Sequence, residues 1–312
     1  MKCLIVYFSQ TGNTEKVAKA IQAGIKEAGV HCDITGIKDA NPKRLYDYDL
    51  IGLGAPVFGA VPSNVSFFIK NMRFVGGKHA FAFATHGTFP DLFFPEIFVK
   101  LKKRGLVVIG SRSWYADCSL LHMPTPYPTA GHPDEIDLKD AESFGKEMVD
   151  HSQRISSGEA SLIPPAPPMA EPPVLKGQDG KESQRPPEYR KMAKFIKEEC
   201  LYPECRLCME NCPVDGIDLS VEPPVFATPC IDCEFCAKIC PTSAINAEAF
   251  INFMSNAART MMPMFLPKLE KAEAEGRFRR LIKVEDIDLN KFNFKMLKNH
   301  PYWIIGKGWN LE

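Results

Sequence analysis

The sequence has no excess charge of either sign and no long apolar run. Lysine and arginine together number 38, and aspartate and glutamate together also number 38. A chain with this balance has no overall field to attract nucleic acid or a membrane surface. No stretch approaches the roughly 20 apolar residues of a membrane span. The beginning, MKCLIVYFSQTG, lacks the small-residue cleavage site of a signal peptide. These absences predict a cytoplasmic protein with no membrane span and no nucleic-acid partner.

Proline is concentrated in one part of the chain. With 312 residues, the chain is long enough for two domains, each with its own core. The segment from Pro164 to Glu188, PPAPPMAEPPVLKGQDGKESQRPPE, can neither propagate a helix nor join the interior of a sheet. We therefore predict a first domain at 1–158, a proline-rich linker at 159–188, a second domain at 189–249 and a C-terminal helical and aromatic extension at 250–312.

Eight of the eleven cysteines lie in two runs. The second run, CIDCEFCAKICP at 230–241, is an unbroken C-x2-C-x2-C-x3-C-P string, the bacterial-type spacing that holds cubane iron–sulfur clusters. Its first three thiols can point into one site, whereas Cys240 precedes proline and turns away. In two-cluster proteins this last cysteine binds the other cluster. The second cluster is therefore predicted to have the ligands Cys212, Cys230, Cys233 and Cys236.

The first run comprises CRLCMENCP at 205–213 and Cys200 before it, and it departs from the pattern of the second run. Its leading cysteine would be expected at position 202, which is Tyr202, and the nearest thiol is Cys200. The spacing becomes C-x4-C-x2-C-x3-C-P, and a bulged loop can absorb the two extra residues. We assign Cys200 as the fourth ligand, with a three-iron cluster as the alternative. The first cluster is therefore predicted to have the ligands Cys200, Cys205, Cys208 and Cys240.

An internal repeat supports this pairing. Each half forms one cluster-binding unit, because residues of the first run recur 28 positions later. The matching positions are Cys205 and Cys233, Cys208 and Cys236, Cys212 and Cys240, Pro213 and Pro241, and Ile217 and Ile245. Zinc sites usually present two short pairs of ligands around a longer spacer. Disulfides need an oxidising compartment, which nothing else in the sequence indicates. The spacing therefore favours iron–sulfur clusters over both.

The first 158 residues alternate between strand and helix patterns. Val17, Ile21 and Ile25, for example, have the spacing of one helix face. Strands are predicted at 2–8, 32–37, 50–55, 79–85 and 106–111, and helices at 13–28, 64–74, 91–104 and 138–156. This alternation predicts a doubly wound parallel five-stranded sheet of the α/β class, which binds ligands beyond the carboxyl ends of its strands.

A polar loop, SQTGNT, joins the first predicted strand to the first helix. Its hydroxyl groups, the Asn13 side chain and successive backbone amides can surround a phosphate, whose charge the helix dipole favours. Gly12 lets the backbone approach closely. The loop has no lysine for a nucleoside triphosphate and is not a G-x-G-x-x-G motif, so it suits the monophosphate ester of FMN. The alternative is that Ser9 and Thr11 only cap the helix.

Two further loops are predicted at the same edge of the sheet, where they could enclose a flat ring. The G-x-G within GLGAPVFG lacks the third glycine and the helix start of a dinucleotide fingerprint, so we reject that interpretation. His86 either caps its loop, bonds to a flavin or protonates a substrate. The residues of the two loops are Pro56, Val57, Phe58 and Gly59, and Thr85, His86 and Gly87.

The segment IVYFSQTGNTEKVAKAI resembles the N-terminal signature of the flavodoxin family across strand, loop and helix. The resemblance extends to about residue 158 and implies a non-covalently bound FMN whose ring lies between the two loops. Phe58, Phe89 and Trp114 are the aromatic candidates for the ring faces, and so few aromatics imply a more open flavin than in a simple carrier. The implied phosphate ligands are Ser9, Gln10, Thr11, Gly12, Asn13 and Thr14.

Residues 200–249 resemble two-cluster bacterial ferredoxins, which have a small α+β fold. The chain thus resembles a flavodoxin–ferredoxin fusion of the type found chiefly in anaerobes. The fusion implies electron transfer between two 4Fe-4S clusters, which move one electron at a time, and FMN, which takes one or two. The implied partners are redox proteins such as a ferredoxin, reductase or dehydrogenase. The alternative is an oxidoreductase that reduces a quinone, tetrapyrrole or similar small acceptor directly at FMN.

Two other features of the sequence were considered for function. Cys118 and His122 could form a nucleophile pair, although no third group is available to orient them. The methionine-rich segment 250–266 is predicted to pack in a core or between domains.

Overall fold

The computed structural model describes residues 1–88, 90, 92–169, 194–226, 230–288 and 291, and the chain divides into two compact units. The chain passes from one unit to the other five times, whereas the sequence predicted a linear succession of domains. Most of the predicted linker, Phe89 and the aromatic C-terminal tail lie outside the described residues. The first unit comprises Met1–Cys118, Tyr127–Pro173 and Leu266–Val284, and the second comprises Ser119–Pro126, Val174–Phe265 and Glu285–Glu312.

The first unit contains a five-stranded sheet with the order β2-β1-β3-β4-β5, in which all neighbouring strands run parallel. This order confirms the predicted doubly wound sheet, and the order reverses beside β1. The strands are β1 (Lys2–Tyr7), β2 (His31–Gly36), β3 (Leu50–Pro56), β4 (His79–His86) and β5 (Val107–Tyr115). The helices are α1 (Asn13–Glu27), α2 (Ser63–Asn71), α3 (Phe93–Lys102) and α4 (Glu135–Ser156).

Helix α1 packs on the sheet through the face that its sequence predicts. Val17, Ile21 and Ile25 are fully buried and share one core with strand residues and with α4. Phe144 of α4 meets Phe81 of β4 edge to face, with ring centroids 5.7 Å apart. This core positions the N-terminus of α1 at the end of β1.

The G-x-G of β3 serves the packing of aromatic rings. A Cβ on Gly52 would lie 2.3 Å from the ring of Phe81, and a Cβ on Gly54 would lie 2.0 Å from the ring of Phe83. Both distances are far below van der Waals contact, so only glycine fits beside these rings. This close approach is a structural reason for the G-x-G, and it agrees with the rejection of a dinucleotide fingerprint.

Strand β5 runs four residues further than the predicted end at Ser111. Trp114 therefore lies within the strand, paired in register with Thr85. Its indole N–H donates to Asp140 at 2.9 Å, and its ring packs against Phe144. The suggestion that Trp114 flanks a flavin is wrong, because the alternation of the strand directs this side chain into the core.

The second unit is built from very short elements. Strand β6 (Lys194–Phe195) pairs antiparallel with β9 (Ile245–Asn246), and β7 (Ile217–Asp218) pairs antiparallel with β8 (Val225–Phe226). Helices α5 (Leu207–Glu210) and α6 (Phe235–Ile239) each begin two residues after a cysteine. The helix starts and the strands β7 and β9 are separated by the same 28 residues as the cysteines, so the sequence repeat is also a structural one.

Helix α7 (Glu248–Ala274) begins in the second unit and ends in the first. Phe250, Ile251 and Met262 are buried, whereas Met264 is exposed. Beyond the helix, Phe278 packs on Tyr115 within the first unit. In the described part of the chain, no helix is both long enough and apolar enough to span a bilayer.

Candidate functional site

Four cysteines of the second unit line one cavity of about 340 Å³, which includes space open to solvent, together with apolar side chains such as Phe195, Leu219 and Ile245. Three of them come from the first run and one comes from the end of the second run. This is the predicted first set: Cys200, Cys205, Cys208 and Cys240.

The other four cysteines line a second cavity of about 1110 Å³, which includes space open to solvent. Phe226, Ile231 and Phe250 contribute to its wall, and Cys230 is exposed. The members are those of the predicted second set: Cys212, Cys230, Cys233 and Cys236.

The spacing of the sulfur atoms does not fit mononuclear zinc. Tetrahedral coordination with Zn–S bonds of about 2.3 Å places sulfurs about 3.8 Å apart. Among the described residues, no three cysteines have sulfurs that all lie within 4.8 Å of one another. Four thiols arranged around a wider space fit a multinuclear cluster better than a single ion.

Burial and the charges of neighbouring thiols disfavour the thiolate form of Cys208 and Cys233. Burial, followed by the charges of Cys240, Cys205 and Cys200, raises the pKa of Cys208 to about 11. Burial also raises the pKa of Cys233 to about 12. Thiolates are the form that binds metal, so a bound cationic centre would have to supply the compensating charge.

The loop before Cys205 absorbs the irregular spacing of the first run. The Cys205 N–H donates to the Leu201 carbonyl at 2.9 Å, which closes a single helical turn. This turn holds the two extra residues and leaves Cys200 on the first cavity. The predicted bulged loop is present, and the role of Cys200 as a ligand remains a prediction.

The predicted phosphate loop connects β1 to α1, and no side chain caps the helix. Gly12 occupies the N-cap position with a φ of +90°, a conformation that favours glycine. Its N–H donates to Ser9 Oγ at 3.1 Å. The interpretation that Ser9 and Thr11 only cap the helix remains an alternative, since Ser9 Oγ accepts the N–H of the N-cap residue. Such a helix start fits an anion.

The structure brings the three predicted FMN loops together. Thr14 Oγ1 and Thr85 Oγ1 are 2.7 Å apart and share a buried hydrogen bond. The Val57 N–H donates to the Thr85 carbonyl at 2.9 Å. Thr85 thus joins the phosphate loop to both ring loops. These contacts follow from the parallel register of β1, β3 and β4, whose carboxyl ends meet at one edge.

Phe58 remains the aromatic candidate in the two ring loops. It is partly exposed and meets Phe8 edge to face with centroids 6.2 Å apart. Gly59 follows with a φ of +76°, which turns the loop. Trp114 lies in the core, as described above, so Phe58 is the candidate for a ring face among the described residues.

His86 is buried and neutral. Burial lowers its pKa to about 3, and among the described residues its Nδ1 atom has no hydrogen-bond partner. Its ring lies against Tyr115, with centroids 4.6 Å apart. An unpaired buried nitrogen at this position fits a hydrogen bond to a bound ring. A neutral imidazole does not fit the suggested proton donor, because the donor form is the imidazolium.

Sequence reasoning missed two polar contacts made by the connection between β5 and α4. Tyr127 is buried, which raises the pKa of its hydroxyl, and its side chain bonds to that of Thr88 beside the second ring loop. The Nδ1 atom of His122, suggested above to pair with Cys118, bonds instead to the buried carboxylate of Glu234. Neither contact has a sequence signal, because partners so far apart share no periodicity.

A third polar cluster in the first unit is structural. His132, Asp134 and Asp137 have ligand atoms within 4.8 Å of one another. The Arg279 guanidinium donates to both aspartates and holds the pKa of Asp134 well below its usual range. Asp134 and Asp137 form the capping box of α4. An arginine therefore already supplies the positive charge that a metal ion would bring.

Comparison with known proteins finds two kinds of similarity. A sequence model of the flavodoxin family matches residues 5–121. An uncharacterized protein of Methanocaldococcus jannaschii is 33% identical over 159 residues, which is 48% of this chain and 99% of that protein. A flavodoxin of Clostridium beijerinckii is 28% identical over 149 residues, 46% of this chain and 97% of its own. A protein named ferredoxin 7Fe from Hydrogenibacillus schlegelii is 40% identical over 65 residues, 19% of this chain and 78% of its own.

Proposed function

Because this chain carries a flavodoxin-like domain and belongs, over a shorter stretch, to the ferredoxin family, we propose that it transfers electrons between FMN and two iron–sulfur clusters. The observation that carries the proposal is the pair of four-cysteine cavities, each lined by thiols from both sequence repeats. The exchange of the last cysteine between the repeats is the arrangement of a two-cluster protein.

We infer that the clusters are both of the 4Fe-4S type and occupy a small α+β fold of the ferredoxin kind. The four thiols on the first cavity support a four-iron cluster there, with Cys200 as a ligand. The name of the 7Fe relative keeps the three-iron alternative open for that position. Support for the second cluster is the unbroken spacing of its run, in which Cys230, Cys233 and Cys236 line the cavity with Cys212.

The FMN phosphate is proposed to bind at the start of α1, on the loop from Ser9 to Thr14. Support comes from the uncapped helix start and from the positive φ of Gly12. The ring is proposed to lie between the loops Pro56–Gly59 and Thr85–Gly87, which hydrogen bonds already join to the phosphate loop. When bound, FMN supplies two-electron chemistry and the clusters supply one-electron steps.

The residues of the chain would orient and shield these groups. Thr85 holds the three flavin loops in one arrangement, and the neutral His86 offers Nδ1 as an acceptor or donor according to its tautomer. Apolar side chains line the walls around the cysteines, and exposure to solvent is one of the factors that set cluster potentials. Linking the carriers in one chain replaces a bimolecular encounter with an intramolecular one. The predicted partners are other redox proteins, and the predicted setting is the cytoplasm.

A second candidate function is the direct reduction of a small acceptor at FMN. Its support is the position of Trp114 in the core, which leaves Phe58 as the described aromatic residue of the ring loops. A ring with few aromatic neighbours is accessible to a quinone or tetrapyrrole. An acceptor panel under anaerobic conditions separates the two functions, since turnover with one compound and none with carrier proteins would favour this candidate.

Anaerobic purification tests the main proposal. We expect about eight irons, about eight sulfides and one FMN per chain, as two four-iron clusters and one flavin require. Rapid mixing with a one-electron reductant should then show the flavin reduced after the clusters. Protein that holds only one kind of chromophore after reconstitution would overturn the proposal.

A further inference from the structure

Glu234 lies between two predicted ligands of the second cluster, in a backbone conformation that does not suit it. Its φ is +59°, in the left-handed region that glycine adopts at lower cost. Its side chain is only 2% exposed. A buried acid in a strained position needs a compensating interaction.

The compensation comes from a short segment that belongs to the second unit, Ser119–Pro126, here called the 119–126 segment. The Glu234 carboxylate accepts the Leu121 N–H at 2.6 Å, the His122 N–H at 3.3 Å and a bond from His122 Nδ1. One carboxylate thus binds three donors from two successive residues.

Two further contacts fix the 119–126 segment beside the same cysteine run. Lys238 of α6 donates from Nζ to the Ser119 carbonyl at 2.8 Å. Leu121 is buried against Phe250 and Ile251 of α7. The segment is therefore held by an acid, a base and an apolar contact, all from residues in or just after the second cysteine run.

The residues on either side of this segment belong to the first unit and contact the proposed flavin loops. The Asp117 carbonyl accepts Asn13 Nδ2 of the phosphate loop at 3.1 Å. Tyr127 bonds to Thr88, and its ring lies where a side chain on Gly87 would be, 2.5 Å from a Cβ at that position. Eleven consecutive residues thus contact the phosphate loop, then the second cysteine run, then a ring loop.

We propose that Glu234 is a positioning residue that couples the second cluster to the flavin site through residues 117–127. The proposal rests on the proposed function above. Glu234 fixes the backbone amides of Leu121 and His122, and residues 117 and 127 carry that constraint to the two flavin loops. Loss of the carboxylate should release the segment, weaken FMN binding and slow flavin reduction, with the cysteine ligands unchanged.

The variant Glu234→Gly tests this with the least backbone disturbance, since glycine suits the positive φ. Its matched control is Arg206→Gly, because Arg206 occupies the equivalent place 28 residues earlier and is exposed. Iron, sulfide and the EPR spectrum of the reduced clusters are expected to match wild type in both. In Glu234→Gly, the amides of 119–126 should exchange hydrogen faster, and the FMN dissociation constant should rise at least about fivefold, the lower end of typical coupling between sites.

Flavin reduction by the clusters should slow in the same variant at saturating FMN. Glu234→Gln should restore part of the FMN affinity and of the rate of flavin reduction, because its side-chain carbonyl still accepts one backbone amide. A purely structural lesion would not show this rescue. Unchanged exchange at 119–126, or faster exchange with wild-type FMN affinity and flavin reduction, would overturn the coupling. If the wild-type protein itself contains no FMN or no clusters, the proposed function is overturned instead, and this is known before any variant is compared.

Discussion

The two units of this chain obtain their stability in different ways. The first has strands of six to nine residues and a continuous apolar core, in which residues such as Ile5, Ile21, Phe81 and Phe144 are at most 1% exposed. The second has strands of two residues and, in its cysteine runs, helices of four and five. Half of the partly buried residues that pack on its apolar cluster of Ile217, Leu219 and Ile245 are cysteines.

From this difference we expect the first unit to be stabilised by its own core and the residues around the cysteines by what those cysteines bind. Regions with few apolar residues commonly depend on metal for their folding. The same division separates the proposed chemistry, because the flavin loops extend from a rigid sheet whereas the cluster loops have little independent support. Each of the following predictions tests whether the two units respond separately.

The largest expected effect follows from iron removal. Chelation under reducing conditions should unfold residues 200–246 while the sheet remains folded, because the short elements around the cysteines have only a small apolar cluster of their own. Hydrogen exchange should show unprotected amides in β7 and β9 and protected amides in β1, β3 and β4. Retained protection of the amides around Ile217 and Ile245 after complete loss of iron would contradict the dependence of the second unit on its bound metal.

The next effect concerns Cys200, the proposed ligand with the irregular spacing. Cys200→Ala should convert the first cluster to a three-iron form, lowering the iron count from about eight to about seven per chain and producing an EPR signal in the oxidised state. Cys118→Ala, in the first unit, is the control and should keep the full iron count.

A second substitution sharpens this test. Because the regular spacing would have its cysteine at position 202, the double variant Cys200→Ala/Tyr202→Cys should restore the lost iron. A Cys200→Ala protein with wild-type iron content and EPR spectrum would show that the first cluster takes no ligand from residue 200.

A smaller effect is expected from crowding the first unit alone. Gly54→Ala would place a Cβ 2.0 Å from the Phe83 ring and should lower the free energy of unfolding of the sheet by about 1–3 kcal/mol. Gly36→Ala is the control, since its Cβ would have 3.7 Å of space. Hydrogen exchange of β3 and β4 measures the loss. Iron content should not change, and a parallel loss of iron would show that the units are not independent.

Local patterns made much of this arrangement predictable from the sequence. The alternation of apolar runs predicted five strands and their helices, and the repeated cysteine spacing predicted which thiols line each cavity. Prediction failed where long-range packing decides the outcome. The strand pattern gave no signal that β5 continues to Tyr115, and nothing near His122 pointed to Glu234, 112 residues away. The return of Phe278 to the first unit is likewise a tertiary contact without a sequence period.

The smallest expected effect is a pH response confined to the first unit. Burial lowers the pKa of His86 from its ordinary 6.5 to about 3. Between these two pH values, the unfolded chain therefore binds a proton at this residue and the folded chain does not. The stability linked to this residue is fully present above pH 6.5 and is lost as pH falls toward 3, by about 1.4 kcal/mol per pH unit.

Between pH 7.5 and 5.5, wild type should therefore lose about 1.4 kcal/mol more than His86→Gln, measured by hydrogen exchange of β4. The exposed His31→Gln should behave as wild type. Equal losses in all three proteins would mean that His86 titrates normally and is solvated in the folded state.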